Sequence, residues 1–357
     1  MTELIEILGE QWVSALGGLL IGLMFGFFAQ RSRFCLRAAV VEFARGSIGH
    51  KVTIWVIVFA TALMSTQALV ALGVIDISET RQLAATGSIS GAIVGGLMFG
   101  GGMVLARGCA SRLLVLSATG NLRALLSGLM FAVMAQASYR GLFSPLREAI
   151  TGLWLIDGGR SRDIMALTGS STAVKLVWCL AWVLGAAWFT WRNGLAAGIV
   201  IGAIGTGLTI AAGWSFTYAL SQAAFTPVAI KSLTFSGPSA DTLMFVLSSP
   251  DKGVSFDIAL VPGVFLGSFL SAALSRELKL EGFSDGLSMR RYIVGAALMG
   301  FGAMLAGGCA VGAGVTGASA FALTAWIVLI GMWLGAAAMD AIVDRPSEVA
   351  TQPVPAR

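Results

Sequence analysis

Charge is scarce in this chain. Only 11% of its 357 residues are Asp, Glu, Lys or Arg, against about 25% in soluble domains. That leaves too little polar surface for a water-soluble protein of this length. With 57% hydrophobic residues and a mean hydropathy of +0.86, the chain reads as an integral membrane protein. Histidine occurs once, as His50 beside Lys51, which supports neither a metal site nor a catalytic dyad. The four cysteines include no CxxC pair, which removes zinc spacing and a disulfide framework. No dense basic tract exists. The net charge of +5 sits in short clusters between apolar runs, as cytoplasmic loops and anionic lipid headgroups explain, and nucleic acid is not an expected partner. No cofactor is expected, and the chain does not read as an enzyme. The opening MTELIEILGEQW has early glutamates and no basic n-region, so the first apolar run is expected to stay as a helix.

What is abundant is apolar sequence and glycine. About 20 apolar residues cross a bilayer, and stretches of that kind lie at 12–30, 52–75, 88–106, 124–138, 176–191, 195–213, 258–275, 292–306 and 321–339. The fold class is therefore all-α and polytopic, with about nine transmembrane helices. Trp12, Trp55, Trp178, Trp182, Trp188, Trp191, Trp326 and Trp333 lie near span ends, as an aromatic belt would place them. Glycine supplies 46 residues, against about 7% in average usage. In membranes this means close helix packing or backbone broken on purpose.

Breaks recur. Residues 22–35 (GLMFGFFAQRSRFC), 96–109 (GLMFGGGMVLARGC) and 296–309 (AALMGFGAMLAGGC) each carry a Gly-rich span into small or basic residues and then a cysteine. A fourth copy, 202–215 (GAIGTGLTIAAGWS), fits the spacing with Ser215 in the cysteine position. The run GGCAVGAGVTG after residue 306 is too glycine-rich for a continuous helix, and non-helical backbone at membrane depth needs protein or a watery cavity around it. Re-entrant short half-helices are expected at all four places. Two copies in each half imply pseudo-symmetric halves, residues 1–140 with breaks at Cys35 and Cys109, and 172–344 with breaks at Ser215 and Cys309. An interfacial linker at 141–171 joins them, and 345–357 reads as a disordered tail.

Helix starts at the breaks present unpaired N–H groups and about half a positive charge, which favours anions. Arg31, Arg33 and Arg37 flank the first break, and Arg107 and Arg112 the second. No carboxylate lies within a break, the nearest being Glu42. Thiols are soft, polarizable, weak donors, suited to an anion whose charge resides on sulfur. The candidate pathway is Cys35, Cys109, Cys309 and Ser215 with Arg33, Arg107 and Arg112, the thiols meeting inside one narrow passage. Cys179, in the plain helical context VKLVWCLAW, reads as a packed small hydrophobe. Lys231, after the fourth copy, could line the pathway but reads first as interfacial.

At SRFC, ARGCASR and GGCAVG the chain resembles the YeeE/YedE family of bacterial inner-membrane sulfur transporters, over about residues 10 to 340. The resemblance implies a multi-pass inner-membrane protein shaped like an hourglass, with short helices entering from both faces. It implies that Cys109, Cys35 and Cys309 hand thiosulfate along by hydrogen bonds from thiol to sulfane sulfur. It also implies an outside N-terminus, a cytoplasmic C-terminus, and for some relatives a small soluble sulfur carrier of the TusA type, here a separate chain. Other relatives are assigned to selenium metabolism. A covalent relay through a persulfide is an alternative, since helix starts and arginines favour thiolate. From another class, a membrane thiol or persulfide oxidoreductase would want close cysteine pairs, and a small-anion channel would leave the cysteines unused. Charge bias gives no orientation, because basic clusters at 31–51, 107–123, 140–162 and 276–291 fit no single face of a nine-helix arrangement.

Overall fold

The computed structural model describes residues 2–248, 253–282 and 286–345. Sixteen helices follow one another: α1 (Thr2–Leu8), α2 (Glu10–Ser32), α3 (Leu36–Ala44), α4 (His50–Ala71), α5 (Arg81–Ala84), α6 (Ile89–Leu105), α7 (Ala110–Ala118), α8 (Leu122–Arg140), α9 (Ser144–Thr151), α10 (Ile164–Leu167), α11 (Thr172–Asn193), α12 (Ala197–Ala223), α13 (Ser236–Leu247), α14 (Phe256–Leu274), α15 (Gly286–Leu305) and α16 (Leu323–Met339). Gly312–Gly317 and Asp340–Asp344 are π-helical turns, and Gly87–Ser88 pairs with Leu155–Ile156 as the one strand ladder among the described residues. The protein is all-α and polytopic. Every one of the predicted spans falls on a helix, and eight segments among the described residues are long and apolar enough to cross a membrane. α15, with Arg290 and Arg291 in its first turns, is not among those eight yet packs along α6 and α8.

Glycine sets the helix spacing. A Cβ added to Gly18, Gly22 or Gly26 of α2 would stand 2.2, 2.4 or 2.1 Å from the carbonyl oxygens of Phe256, Leu260 and Val264 on α14. α14 returns the contact with Gly263 and Gly267 against the Leu19 and Leu23 carbonyls. α6 and α16 do the same through Gly96 and Gly100 on one side and Gly331 and Gly335 on the other. Residue numbers rise together across both contacts, so both pairs are parallel. The repeated GLMFG is thus a small-xxx-small surface that lets two backbones touch, where lipid supplies no hydrophobic force between helices. α12 lies antiparallel on α2, with Gly202 at Ser32 and Gly17 at Phe216, and α15 antiparallel on α6, with Gly302 at Phe99 and Gly295 at Ala106.

These directions sort the helix ends. α2, α6, α14 and α16 finish at one face, which also receives the starts of α4, α12 and α15; α12 and α15 finish at the opposite face.

Three expectations change. Ser215 is not at a break: it lies inside the continuous 27-residue α12, and its Oγ donates to Ala211 O of the same helix at 2.9 Å. The glycines of 202–213 serve packing instead, Gly207 meeting Val58 O and Gly205 the Phe28 ring. The interruption falls later, in the non-helical chain of residues 224–235 before α13. The tryptophans divide as well. Trp12, Trp178, Trp188 and Trp191 are exposed, but Trp55, Trp182, Trp326 and Trp333 gather around Phe59 or each other at centroid distances of 4.8–5.6 Å. Arg345 belongs to the folded end, its Nε 3.3 Å from Asp340; residues 346–357 of the expected tail lie outside the described residues.

Candidate functional site

The three cysteine breaks share one backbone device. α2, α6 and α15 end on a residue in the left-handed region: Arg33 (φ 56), Arg107 (φ 55) and Gly307 (φ 73). In each the next amide reaches back five residues, Phe34 N to Ala29 O (3.2 Å), Gly108 N to Met103 O (3.0 Å) and Gly308 N to Ala303 O (2.9 Å). This is a Schellman stop, and each cysteine stands two residues past the left-handed position. Cys35 and Cys109 are the N-cap residues of the nine-residue helices α3 and α7. Cys309 Sγ accepts from Gly312 N at 3.5 Å, at the start of the π-helical turn. The matching amides, Ala38 and Arg112, lie beside the Cys35 and Cys109 sulfurs without closing a full capping bond. The breaks therefore aim the positive ends of short helices at sulfur.

The sulfurs do not all meet. Cys35, half-buried, and Cys109, fully buried, are immediate neighbours, close enough for thiol to bond thiol. Ser111 Oγ lies 3.5 Å from Cys109 Sγ. The Arg112 guanidinium is near enough to both sulfurs to act on their charge. Its Nη1 donates to Gln30 Oε1 at 3.3 Å, and Gln30 Nε2 donates in turn to Glu277 at 2.9 Å. Arg33 pairs with the other Glu277 oxygen at 2.9 Å. Hydrogen bonding and charge from Arg33 hold the Glu277 carboxyl below the usual carboxylate range. Arg37 is drawn to Asp344 (3.1 Å), and Arg107 is exposed on its turn.

Cys309 stands apart at the other face. Leu305, just before its break, touches Gly91 of α6, and from there to Leu105 that helix rises roughly 20 Å. Cys309 is 1% exposed and accepts from Phe235 N at 3.3 Å, with Thr234 Oγ1 at 4.0 Å. The Phe235 ring packs on Phe25 of α2, centroids 5.1 Å apart. Outside this group opens a cavity of about 380 Å³ lined by Arg81, Arg147, Lys231, Ser232, Thr234 and Ser236 among others. Lys231 is bonded there to Asp257, and Arg81 donates to Gly307 O at 2.8 Å. Cys179 is buried in α11, away from every break.

Of the residues expected from sequence, the structure gathers Cys35, Cys109, Arg112 and, one link outward, Arg33. It separates Cys309, exposes Arg107 and removes Ser215. It adds Gln30, Ser111, Glu277, Thr234, Phe235 and Arg81, and puts Lys231 in the wall of the outer cavity. Gln30 carried a readable signal, being a neutral polar residue within an apolar span, where such groups are costly unless used. Thr234 and Phe235 carried none, since their role depends on residues 224–235 crossing to Cys309.

Helix-start sulfurs with a half-buried guanidinium at one end of the bundle, and a cavity lined by Arg81, Arg147 and Lys231 at the other, mark a polytopic membrane protein with polar groups at both ends. The Sulphur transport family matches residues 31–338, and the chain belongs to that family. It is similar to the thiosulfate transporter TsuA of Escherichia coli strain K12, 26% identical over 90% of this chain and 92% of the relative. It is also similar to TsuA of Spirochaeta thermophila, 27% identical over 89% and 96%. The probable transporter YedE of E. coli K12 is 36% identical over 22% of this chain and 21% of its own.

Proposed function

We propose that this chain imports thiosulfate, or a closely related sulfur anion, through the bacterial inner membrane, acting as a transporter and not as an enzyme. The observation that carries the reading is a set of three sulfurs, each at the start of a short helical segment, spread over both faces of one bundle with arginine at either end. Full-length similarity to two proteins named thiosulfate transporters supports the substrate.

The folded charge distribution supports a direction. Basic clusters 31–51, 107–123 and 276–291 come together at the Cys35–Cys109 face, through Arg33–Glu277, Arg112–Gln30 and Arg123 stacked on Tyr292. The acids Glu3, Glu6, Glu10, Asp76, Glu79, Asp157, Asp241 and Asp257 belong to the Cys309 face, opposed by the cluster at 140–162 and by the scattered Arg81, Lys175 and Lys231. By the positive-inside rule the Cys35–Cys109 face is cytoplasmic. The ion then enters by the mouth near Arg81 and Lys231, meets Cys309, and leaves past Cys109 and Cys35. Since Cys309 lies far from the pair, Phe25 and Phe235 must part for transfer. Thiols donate weakly to the terminal sulfur while amides and Arg112 hold the oxygens, so each stop is favourable enough to enter and weak enough to leave.

The matching parallel pairs α2/α14 and α6/α16 support two related halves, 1–140 and 172–344, about the linker 141–171. The basic inner face suits anionic lipid and is where a separate TusA-type carrier would collect sulfur. Uptake of labelled thiosulfate into proteoliposomes, in competition with sulfate, sulfite and selenite, tests the function. Saturable uptake suppressed only by sulfur analogues is the expected outcome; no uptake, or preference for sulfate, ends the proposal.

A further inference from the structure

Arg112 is a half-buried charge beside both inner thiols, yet its hydrogen-bond partner is a neutral amide, Gln30 Oε1 at 3.3 Å. Gln30 is itself 5% exposed. Its other end donates to Glu277 Oε2 at 2.9 Å, and Glu277 Oε1 is held by Arg33 at 2.9 Å. The result is a line of four groups running outward from the sulfurs: guanidinium, amide, carboxylate, guanidinium. The carboxylate is the only anion in that line.

The backbone places it there on purpose. α14 ends with Arg276 in the left-handed region (φ 55) and Glu277 N bonded back to Ala272 O at 2.8 Å. That is the same stop that ends α2 at Arg33, and the two turns abut, Arg31 Nη1 donating to Ser275 Oγ at 2.8 Å. The left-handed region is disfavoured for arginine, and it is accepted in both turns that bring Arg33 and Glu277 face to face.

Resting on the transport reading above, we propose that Glu277 is a built-in counter-anion that closes the cytoplasmic end of the pathway, and that the transported oxyanion leaves by taking its place on Gln30 and Arg33. The donors that hold the carboxylate are those an oxyanion needs, so exchange trades one anion for another with little net loss. An anion that fails to displace Glu277 must pass a fixed negative charge at contact range, which repels it. The closure therefore yields to ions that bind these donors and resists those that do not. Glu277 is a specificity-determining residue for release, and Gln30 positions it.

The test uses purified full-length protein in liposomes, measuring labelled thiosulfate efflux and, separately, chloride leak by a trapped fluorescent indicator. An exposed ion pair is modest in energy, so E277Q should raise thiosulfate efflux roughly two- to fivefold and open a chloride leak. R33Q, which keeps the carboxylate on Gln30 and removes a donor that the oxyanion needs, should slow thiosulfate efflux without opening the leak, while the charge-swapped R33E/E277R double variant should return both rates toward wild type. Unchanged efflux and leak in E277Q and R33Q would overturn the proposal. So would an E277Q variant that loses transport, since removing a latch cannot slow release, whereas a purely structural pair would show that loss and have it repaired by the swap. The chloride readout does not require thiosulfate to be the substrate, so a wild-type protein that carries no thiosulfate counts against the transport reading and leaves the latch to be decided by the leak.

Discussion

Cys35 and Cys109, far apart in the chain, stand thiol to thiol. They do so because α2 and α6 end with the same left-handed stop, on Arg33 and Arg107, two residues ahead of each sulfur. The short helices α3 and α7 then set out from the cysteines. Cys309 follows the same stop on Gly307 but on an antiparallel helix, which sends it to the opposite face. The arrangement is a pair and a single, and several consequences can be measured.

Serine at Cys109 or Cys309 replaces a soft donor by a hard one at an anion site. Each change should cut thiosulfate uptake roughly tenfold or more, equal to about 1.4 kcal/mol of binding. Cys179→Ser should leave uptake near wild type, as should Ser215→Ala, whose hydroxyl is spent on its own helix. Growth of a sulfur auxotroph on thiosulfate reads all four; normal growth of both the 109 and 309 variants would falsify the relay.

Arg112 brings positive charge to the pair from a half-buried position. Arg112→Gln should raise the KM for thiosulfate about tenfold or more and leave Arg112→Lys between it and wild type, since lysine keeps charge but not the planar fork. Equal KM values in all three proteins would remove Arg112 from the site.

Arg107 tests the turn against the charge. Its side chain is exposed and its φ is 55, so glycine should fit the turn at no cost, whereas valine should destabilise by about 1–2 kcal/mol. Thermal unfolding in detergent gives the order Gly at or above Arg, then Val. Uptake by Arg107→Gly close to wild type would assign Arg107 to the backbone turn rather than to the ion.

The glycine contacts predict a sharp asymmetry. Gly26→Ala pushes a Cβ to 2.1 Å from Val264 O and should cost about 1–3 kcal/mol, as overpacking does. Gly128→Ala in α8 meets nothing within 4 Å and should gain up to about 1 kcal/mol from helix propensity. Melting temperatures that fail to separate the two would contradict the parallel α2/α14 packing.

Acid should open the inner end. Arg33 keeps the Glu277 carboxyl below its ordinary range, so the pair's contribution is complete above the ordinary carboxylate pKa and is lost as pH falls through the depressed value. Chloride leak should stay flat across neutral pH and rise only in acid; a leak that changes around neutrality would assign the closure to another group.

The sequence carried the spans, since runs of apolar residues long enough for a bilayer have one stable use. It also carried three of the breaks, because the same glycine-rich run into small or basic residues and then a cysteine recurs at each. It misplaced the fourth: GAIGTGLTIAAGWS reads like a break, but its glycines are intrahelical contacts, and a glycine-rich helix is stable when a neighbouring backbone fills the missing side chains.

Local sequence alone therefore determined the all-α membrane class, the breaks before Cys35, Cys109 and Cys309, and the placing of Cys179 inside a plain helix. Only tertiary structure decided that Cys35 meets Cys109 while Cys309 does not, that Gln30 joins Arg112 to Glu277, and that three basic clusters share one face. The reason is physical. A helix stop is fixed by hydrogen bonds within a few residues, whereas the direction in which each stopped helix runs is fixed by which glycine surface packs against which partner.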